Sequence, residues 1–205
     1  MRPPATRSPA FTLIELLAVV AIIAILVGLL FPAFKAVQNQ ARQTQAKNDL
    51  TQIVNAVNAF YTDYGKYPLV TADVTYGSTT IPNNDLFYTL RAVSVGANLN
   101  NVVNTRQIVY ISPPFVKNDT VGSRRSGVSP TDGNYYDAWG TQYQVRIDGN
   151  YDNSLTNPYN QGAGPSPLTI GVISWSLGTD QALGSIPPST GNGIFTNSDD
   201  VISWQ

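Results

Sequence analysis

Three aspartates near the end of the sequence, Asp180, Asp199 and Asp200, have the residue types and spacing best suited to binding a metal ion. Calcium takes roughly 6 to 8 oxygen ligands, which proteins supply as carboxylate and backbone carbonyl oxygens. Backbone oxygens near Leu177 and Ser198 could complete such a set. An acidic, solvated turn would explain the same residues, so the cluster alone leaves both interpretations open.

The composition argues against most enzyme classes. The chain contains no histidine and no cysteine, so Ser-His and Cys-His nucleophile pairs cannot be built, and neither can a disulfide. Paired carboxylates or a Ser-Lys arrangement remain formally open. Charged residues make up 12% of the chain and the net charge is −1, which gives no basic field for nucleic acid. We therefore expect a protein that is not an enzyme and has no nucleic-acid partner.

Glu15 is the only glutamate of the chain, and it lies inside an apolar segment, residues 11–34. A carboxylate at membrane depth costs several kcal/mol unless it finds a partner. Glu15 is therefore predicted either to pair with a positive group or to extend its side chain to the membrane surface.

The N-terminal region reads as three consecutive segments. Residues 1–10 carry Arg2 and Arg7 and form a short basic leader. Residues 11–34 are long enough to span a bilayer as a helix. A cleaved secretory signal is the alternative, but the apolar run is too long and no small-x-small site follows it. Residues 35–65 are amphipathic and should pack on a globular head.

Two residues near the end of the apolar segment weaken a helix. Pro32 deprives the carbonyl of Gly28 of its hydrogen-bond donor, so a kink or a segment able to unwind is expected there. Beyond Pro32, apolar residues recur at steps of three and four, as is typical of a helix with one buried stripe. That stripe comprises Leu50, Ile53, Val54, Val57, Phe60, Tyr61 and Tyr64. Gly65 is predicted to end the helix.

Residues 66–205 are predicted to form a β-rich head, since 15 of the 16 glycines lie from Gly65 onward. A short helix capped by Asn84 is expected from residue 85 to about 95. Strands are expected at residues 107–111, 141–147, 169–176 and 201–204. A small antiparallel sheet laid on the amphipathic half of the long helix gives an α+β fold. The tyrosines could be sugar-stacking surfaces, but core and interface roles are favoured.

The N-terminal residues AFTLIELLAVVAIIAILVGLLFP resemble the type IV pilin superfamily. This resemblance implies that a prepilin peptidase cuts after Ala10, where the family usually has Gly, and methylates the new N-terminus at Phe11. It also implies that Glu15 neutralises the amine of Phe11 from an adjacent subunit, and that Gly28 and Pro32 allow local unwinding during assembly.

Parts of the head resemble the major pseudopilin of type II secretion systems. The similar stretches are AFYTDYGKYPL at 59–69, NYYDAWGTQYQVRI at 134–147 with Ala138 replacing the usual Pro, SWSLGTD at 174–180 and SDDVISW at 198–204. The last two resemble the halves of a calcium-binding region, which implies Ca²⁺ held by Asp180, Asp199 and Asp200 with carbonyls near Leu177 and Ser198. Residues 70–130 have no counterpart and look like an insertion.

The resemblance implies a pseudopilus subunit stored in the inner membrane with its head in the periplasm. Its expected partners are copies of itself in a helical filament, the prepilin peptidase, an inner-membrane assembly platform, minor pseudopilins and membrane lipid. The alternatives are a surface type IV pilin for adhesion, motility or DNA uptake, a monomeric anchored glycan-binding protein and a carboxylate-based hydrolase.

Overall fold

The computed structural model describes residues 12–184 and 193–205, without the side chains of residues 29–33. The chain divides into two units, Met1–Ala41 and Arg42–Gln205. Helix α1 (Leu13–Tyr64) contributes to both units. The other elements belong to the second unit and are β1 (Val74–Tyr76), α2 (Asn84–Leu90), a short 3-10 segment (Gly96–Asn101), β2 (Gly127–Val128), β3 (Tyr135–Tyr136), β4 (Gln144–Ile147), β5 (Val172–Ser176) and β6 (Val201–Ile202).

The second half of α1 buries one stripe of side chains. Leu50, Ile53, Val57 and Phe60 are fully buried, which confirms the predicted spacing of three and four residues. Tyr61 was expected in this stripe, but its side chain is 40% exposed because it lies one position past Phe60 and faces away from the core.

The end of α1 agrees with the sequence. Gly65 adopts a φ of +68°, and its N–H donates to the carbonyl oxygen of Tyr61 at 2.8 Å. A left-handed residue directly after the helix satisfies one of the last free carbonyls, and glycine adopts this conformation without strain. The prediction that Gly65 ends the helix is confirmed.

The main sheet has the strand order β1-β4-β5-β6, and every neighbouring pair is antiparallel. The strands β2 and β3 form a separate two-stranded antiparallel sheet. Side chains of β4 such as Val145 and Ile147 lie in the same buried cluster as the stripe of α1. A long helix packed on a small antiparallel sheet confirms the α+β fold.

A second buried cluster lies around the last two strands of the main sheet. It contains Leu155, Tyr159, Ala163, Leu168, Ile173, Trp175 and Ile202. All seven side chains are at most 4% exposed. This cluster supports the ends of β5 and β6, where the aspartates lie.

The strand expected at residues 107–111 is wrong. Gln107 has a φ of +55°, which breaks an extended run, and the N–H of Tyr110 donates to the carbonyl of Leu90 at 2.8 Å instead of to a strand. The other three expected strands are present but shorter, as β4, β5 and β6.

The short helix α2 differs from its prediction in both its cap and its length. Its N-cap is Asn83, because Asn84 is already the first helical residue, and the Asn84 side-chain amide donates to the carbonyl of Asp132. The helix ends at Leu90, well short of residue 95, because Ala92 has a φ of +55°, outside the helical region.

Candidate functional site

The first turn of α1 is closed by a reciprocal pair of side chains. The N–H and the hydroxyl of Thr12 both donate to Oε2 of Glu15, at 2.8 and 2.7 Å, and the N–H of Glu15 donates to the Thr12 hydroxyl oxygen at 3.3 Å. This is a capping box, which satisfies backbone N–H groups that a helix start leaves free. This role was not predicted from the sequence, although Thr-x-x-Glu before an apolar run is the usual signature of a capping box.

The first half of α1 presents apolar side chains in all directions. Every Leu, Ile and Val from Leu13 to Val27 is at least 45% exposed in the single chain. A helix that is apolar all round is stable only where lipid or other protein covers it. Among the residues whose side chains are described, no helix meets the length and hydropathy needed to cross a membrane.

Several predicted assembly residues lie partly or fully outside the described part of the chain. Ala10 and Phe11 precede it, and so does the leader, residues 1–10. The backbone of α1 continues through Gly28 and Pro32, and the side chain of Pro32 is not described. Cleavage, methylation and local unwinding at these residues stay predictions.

The main sheet brings the three predicted aspartates together. The last pair of strands is antiparallel, with Trp175 opposite Ile202 and Ser176 opposite Val201. The residues that follow β5 therefore lie beside the residues that precede β6. Asp180 comes from the first group, and Asp199 and Asp200 from the second.

The geometry of this acidic cluster suits a single ion. One carboxylate oxygen from each of Asp180, Asp199 and Asp200 lies within 4.8 Å of the others. Calcium ligands lie about 2.3 to 2.6 Å from the ion, so oxygens on opposite sides are separated by roughly 5 Å. The three aspartates could therefore hold one calcium ion without moving far.

Each carboxylate of the cluster has one oxygen fixed by at least one hydrogen-bond donor. Oδ2 of Asp199 accepts from the N–H groups of Thr179 and Asp180, and Oδ1 of Asp180 accepts from the N–H of Ala182 at 2.9 Å. Oδ2 of Asp200 accepts from the Tyr159 hydroxyl at 2.8 Å. It also accepts from the N–H of Gly184 at 2.6 Å.

Three further oxygens of this region are buried without a partner among the described residues. They are Oδ1 of Asp199, Oδ1 of Asp200 and Oγ of Ser198. Asp200 as a whole is only 7% exposed. A buried carboxylate oxygen with no hydrogen bond is costly, and a bound cation would remove that cost.

The environment of Asp200 disfavours its charge. Burial raises the pKa of its carboxyl to about 6, hydrogen bonds from Gly184 and Tyr159 lower it in part, and the charges of Asp199 and Asp180 raise it again. Among the described residues, no positive group offsets these effects on Asp200. A divalent cation would reverse this balance.

The loop after β5 fits closely against Asp199. Gly178 has a φ of +64°, and a Cβ at this position would lie 2.7 Å from Oδ2 of Asp199. Leu177 packs against the second buried cluster. These contacts bring the backbone of residues 177–180 close to the carboxylates, while the carbonyl ligands expected at Leu177 and Ser198 stay predictions.

Tyr159 belongs to this region but was not predicted from the sequence. It is 2% exposed, stacks edge-on with Phe195 at a centroid distance of 5.3 Å and fixes one oxygen of Asp200. No local pattern marks it, because 41 residues separate it from Asp200.

The segment from Asp148 to Asp152 carries two aspartates four residues apart and forms a tight turn. The carboxylate of Asp148 accepts from the N–H of Tyr151 and the N–H of Asn153, both at 2.7 Å. Oδ2 of Asp152 accepts from the amide of Asn150 at 3.1 Å. The oxygens of Asp148 are thus engaged by the backbone, as in an Asx turn.

The N-terminal region matches a known family. Residues 6–31 match the prokaryotic N-terminal methylation motif. No curated protein and no solved structure matches the chain. The motif and the long helix on a small sheet support a type IV pilin-like protein. The motif implies processing by a prepilin peptidase, then a membrane-anchored state and assembly into a filament.

Proposed function

We propose that this type IV pilin-like chain is a structural subunit of the pseudopilus that drives type II protein secretion. It would be stored in the inner membrane, processed before Phe11 and methylated there, and then polymerised in the periplasm. The observation that carries this proposal is the acidic cluster at the ends of β5 and β6. It offers a calcium clip in a chain that has no cysteine with which to close its C-terminal region.

The first half of α1 supports assembly by packing among helices. Its apolar side chains are exposed on every side in the single chain and need lipid before assembly and neighbouring helices afterwards. Glu15 would exchange its bonds with Thr12 for the amine of Phe11 on an adjacent copy. An unpaired carboxylate among such helices is costly, so this pairing would select the register of assembly.

Calcium is proposed as the ion that fastens the two C-terminal loops of the head. Asp180, Asp199 and Asp200 fit the ion in number, charge and spacing, and the buried Oδ1 of Asp200 has no other partner among the described residues. An ion that ties residues 177–180 to residues 198–200 stabilises the head because it binds the folded loops and not the separated ones, so its binding free energy adds to the free energy of unfolding.

The proposed partners follow from the assembly route. They are the prepilin peptidase, an inner-membrane assembly platform, minor pseudopilins and further copies of this chain. Addition of subunits at the membrane would extend the filament and push folded proteins through the outer membrane. A surface pilin for adhesion, motility or DNA uptake is the alternative that the same motif allows.

Deletion of the gene in the producing cells tests the proposal. The secretion role predicts that exported proteins accumulate in the periplasm and that shearing releases no long filaments from wild-type cells. Asp200→Ala should weaken secretion in low calcium, whereas any effect of Asp152→Ala, which changes an exposed acid outside the cluster, should not depend on calcium. Normal secretion after deletion, with long filaments of this chain sheared from wild-type cells, would establish a surface pilin instead.

A further inference from the structure

One surface of the head is a pocket with an excess of positive charge, here called the basic pocket. It has a volume of about 430 Å³ and is lined by Phe115, Lys117 and Arg125, with Gln45, Asn118, Ser123 and Ser126 around them. The lining contains no acidic residue. The ring of Phe115 is 58% exposed and carries Arg91 over its face, with the guanidinium carbon 5.2 Å from the ring centroid.

The positive charges of the basic pocket are not neutralised within the chain. Among the described residues, the ion pairs are those of Arg124 with Asp119 and Asp132. Lys117 and Arg125 therefore have no carboxylate partner in that part of the chain. Exposed charges without partners usually need no explanation, but here they meet an exposed aromatic ring in one concave surface.

A second surface has a negative charge and an exposed aromatic ring, which complement the basic pocket. It consists of residues 150–152 and is here called the acidic loop. Tyr151 is 47% exposed, and its ring stacks on Tyr67 at a centroid distance of 5.7 Å. Asp152 is exposed and forms no ion pair among the described residues. The carboxylate of Asp148 holds the backbone on both sides of Asp152, so the loop is presented in one conformation.

The two surfaces lie far apart on the same chain. Gln45 lines the basic pocket, and Tyr61 stacks on Tyr67, the neighbour of Tyr151, at 4.6 Å. Both Gln45 and Tyr61 belong to α1 and are 16 residues apart. This spacing corresponds to roughly 24 Å along the helix and roughly 160° around it. The acidic loop cannot reach the basic pocket of its own chain.

Two different complementary patches on one chain produce a head-to-tail contact. If the rotation that relates successive copies does not close them into a ring, such a contact repeats without end and generates a helical filament. A charge pair between copies also fixes register and disfavours wrong neighbours.

We infer that the basic pocket of one copy receives the acidic loop of a neighbouring copy. Asp152 pairs with Lys117 and Arg125, and Tyr151 packs against the exposed ring of Phe115. This contact rests on the proposed filament function and adds to it the surfaces by which the heads meet.

The absence of cysteine makes cross-linking a direct test. Asn118→Cys places a thiol at the basic pocket, and Asn150→Cys places one in the acidic loop. The full chain with both changes should form a ladder of disulfide-linked multimers in envelope filaments. A chain with Asn118→Cys and Leu99→Cys controls for chance contacts, since Leu99 is also 56% exposed. Each single cysteine should give no ladder.

Charge reversal separates this contact from assembly in general. Lys117→Glu with Arg125→Glu should reduce the ladder about tenfold, and adding Asp152→Lys should restore it, because the signs are then exchanged. Sedimentation of the filaments is measured in parallel. Filaments that sediment normally but give no ladder would overturn the inferred contact and leave the filament function intact. If the chain without these substitutions forms no sedimenting filaments, both the inferred contact and the proposed filament function are overturned.

Discussion

The hydroxyl of Tyr159 donates to Oδ2 of Asp200 at 2.8 Å and leaves Oδ1 of the same carboxylate buried without a partner among the described residues. One oxygen of Asp200 is thus fixed by the core, and the other remains for an ion. The two oxygens of Asp200 thus have different environments, which substitutions of Asp200 and of Tyr159 can test separately.

Asp200→Asn should abolish the effect of calcium without unfolding the head. The change removes a buried carboxyl group, and burial raises the pKa of that group to about 6. The Asn oxygen still accepts from Tyr159. Without calcium, the free energy of unfolding should stay equal or rise, since the repulsion from Asp199 and Asp180 is removed. With calcium, the thermal shift of the wild-type chain should vanish.

Thermal unfolding of the full chain in detergent, with calcium and with chelator, measures this. Asp152→Asn is the matched control and should keep the calcium-induced shift. An unchanged shift in Asp200→Asn would refute the proposed site, as would a wild-type chain that responds equally to magnesium and calcium.

Tyr159→Phe should weaken calcium binding, because Asp200 loses one of the two donors that orient it. The lost hydrogen bond to a carboxylate should cost about 1 to 3 kcal/mol of unfolding free energy. Calcium affinity is measured by isothermal titration on the full chain. Phe195→Leu, which alters the packing of Tyr159 but keeps its hydroxyl, should lower stability and leave the affinity nearly unchanged. Equal calcium affinity in Tyr159→Phe and the wild type would show that Tyr159 acts only in packing.

Glu15 and Thr12 allow capping to be separated from assembly. Thr12→Ala removes the capping partner and should cost about 1 kcal/mol of helix stability, with filaments still formed. Glu15→Gln keeps an oxygen that can accept from Thr12 but removes the charge, and should abolish filament formation. Sedimentation of envelope filaments from both variants distinguishes them. The assembly role would be wrong if Glu15→Gln formed filaments and Thr12→Ala did not.

Asp49 should make the head less stable as the pH rises above about 4. Burial raises the pKa of its carboxyl, and hydrogen bonds from Tyr143 and Tyr135 lower it in part. The folded state then binds the proton more tightly than the unfolded state, so stability falls as pH rises from the unfolded pKa, about 3.9, through the raised folded pKa. Asp49→Asn should lose this decline because an amide does not titrate, and its oxygen can still accept from the Tyr143 hydroxyl.

Asp119 is a useful control because its pKa is shifted in the opposite direction to that of Asp49. Hydrogen bonds from Ser129 and Thr131, together with Arg124, lower the pKa of its carboxyl to about 2. Its contribution is present above about pH 4 and is lost as pH falls towards 2. Urea denaturation of the wild type, Asp49→Asn and Asp119→Asn, from pH 2 to 7 in chelator, measures the free energy of unfolding of each chain as a function of pH. A parallel change in Asp49→Asn and Asp119→Asn would contradict the assigned shifts.

The sequence predicted those parts of the fold that local periodicity determines. The stripe from Leu50 to Phe60 and the stop at Gly65 follow from spacing within one helix, and both are confirmed. The strand β1 was not predicted, because its three residues pair with β4 about 70 positions later and no local pattern identifies them. Asp180, Asp199 and Asp200 were predicted as a cluster, whereas Tyr159 was not, since only tertiary packing places it there.

The proposed function requires that this chain is processed before Phe11 and polymerises through its N-terminal helix. The most direct test is the intact mass of the chain recovered from sedimenting envelope material of the producing cells. We expect a chain that begins at Phe11, carries one added methyl group and sediments as an oligomer. A chain that still begins at Met1, or a processed chain that remains monomeric, would contradict it.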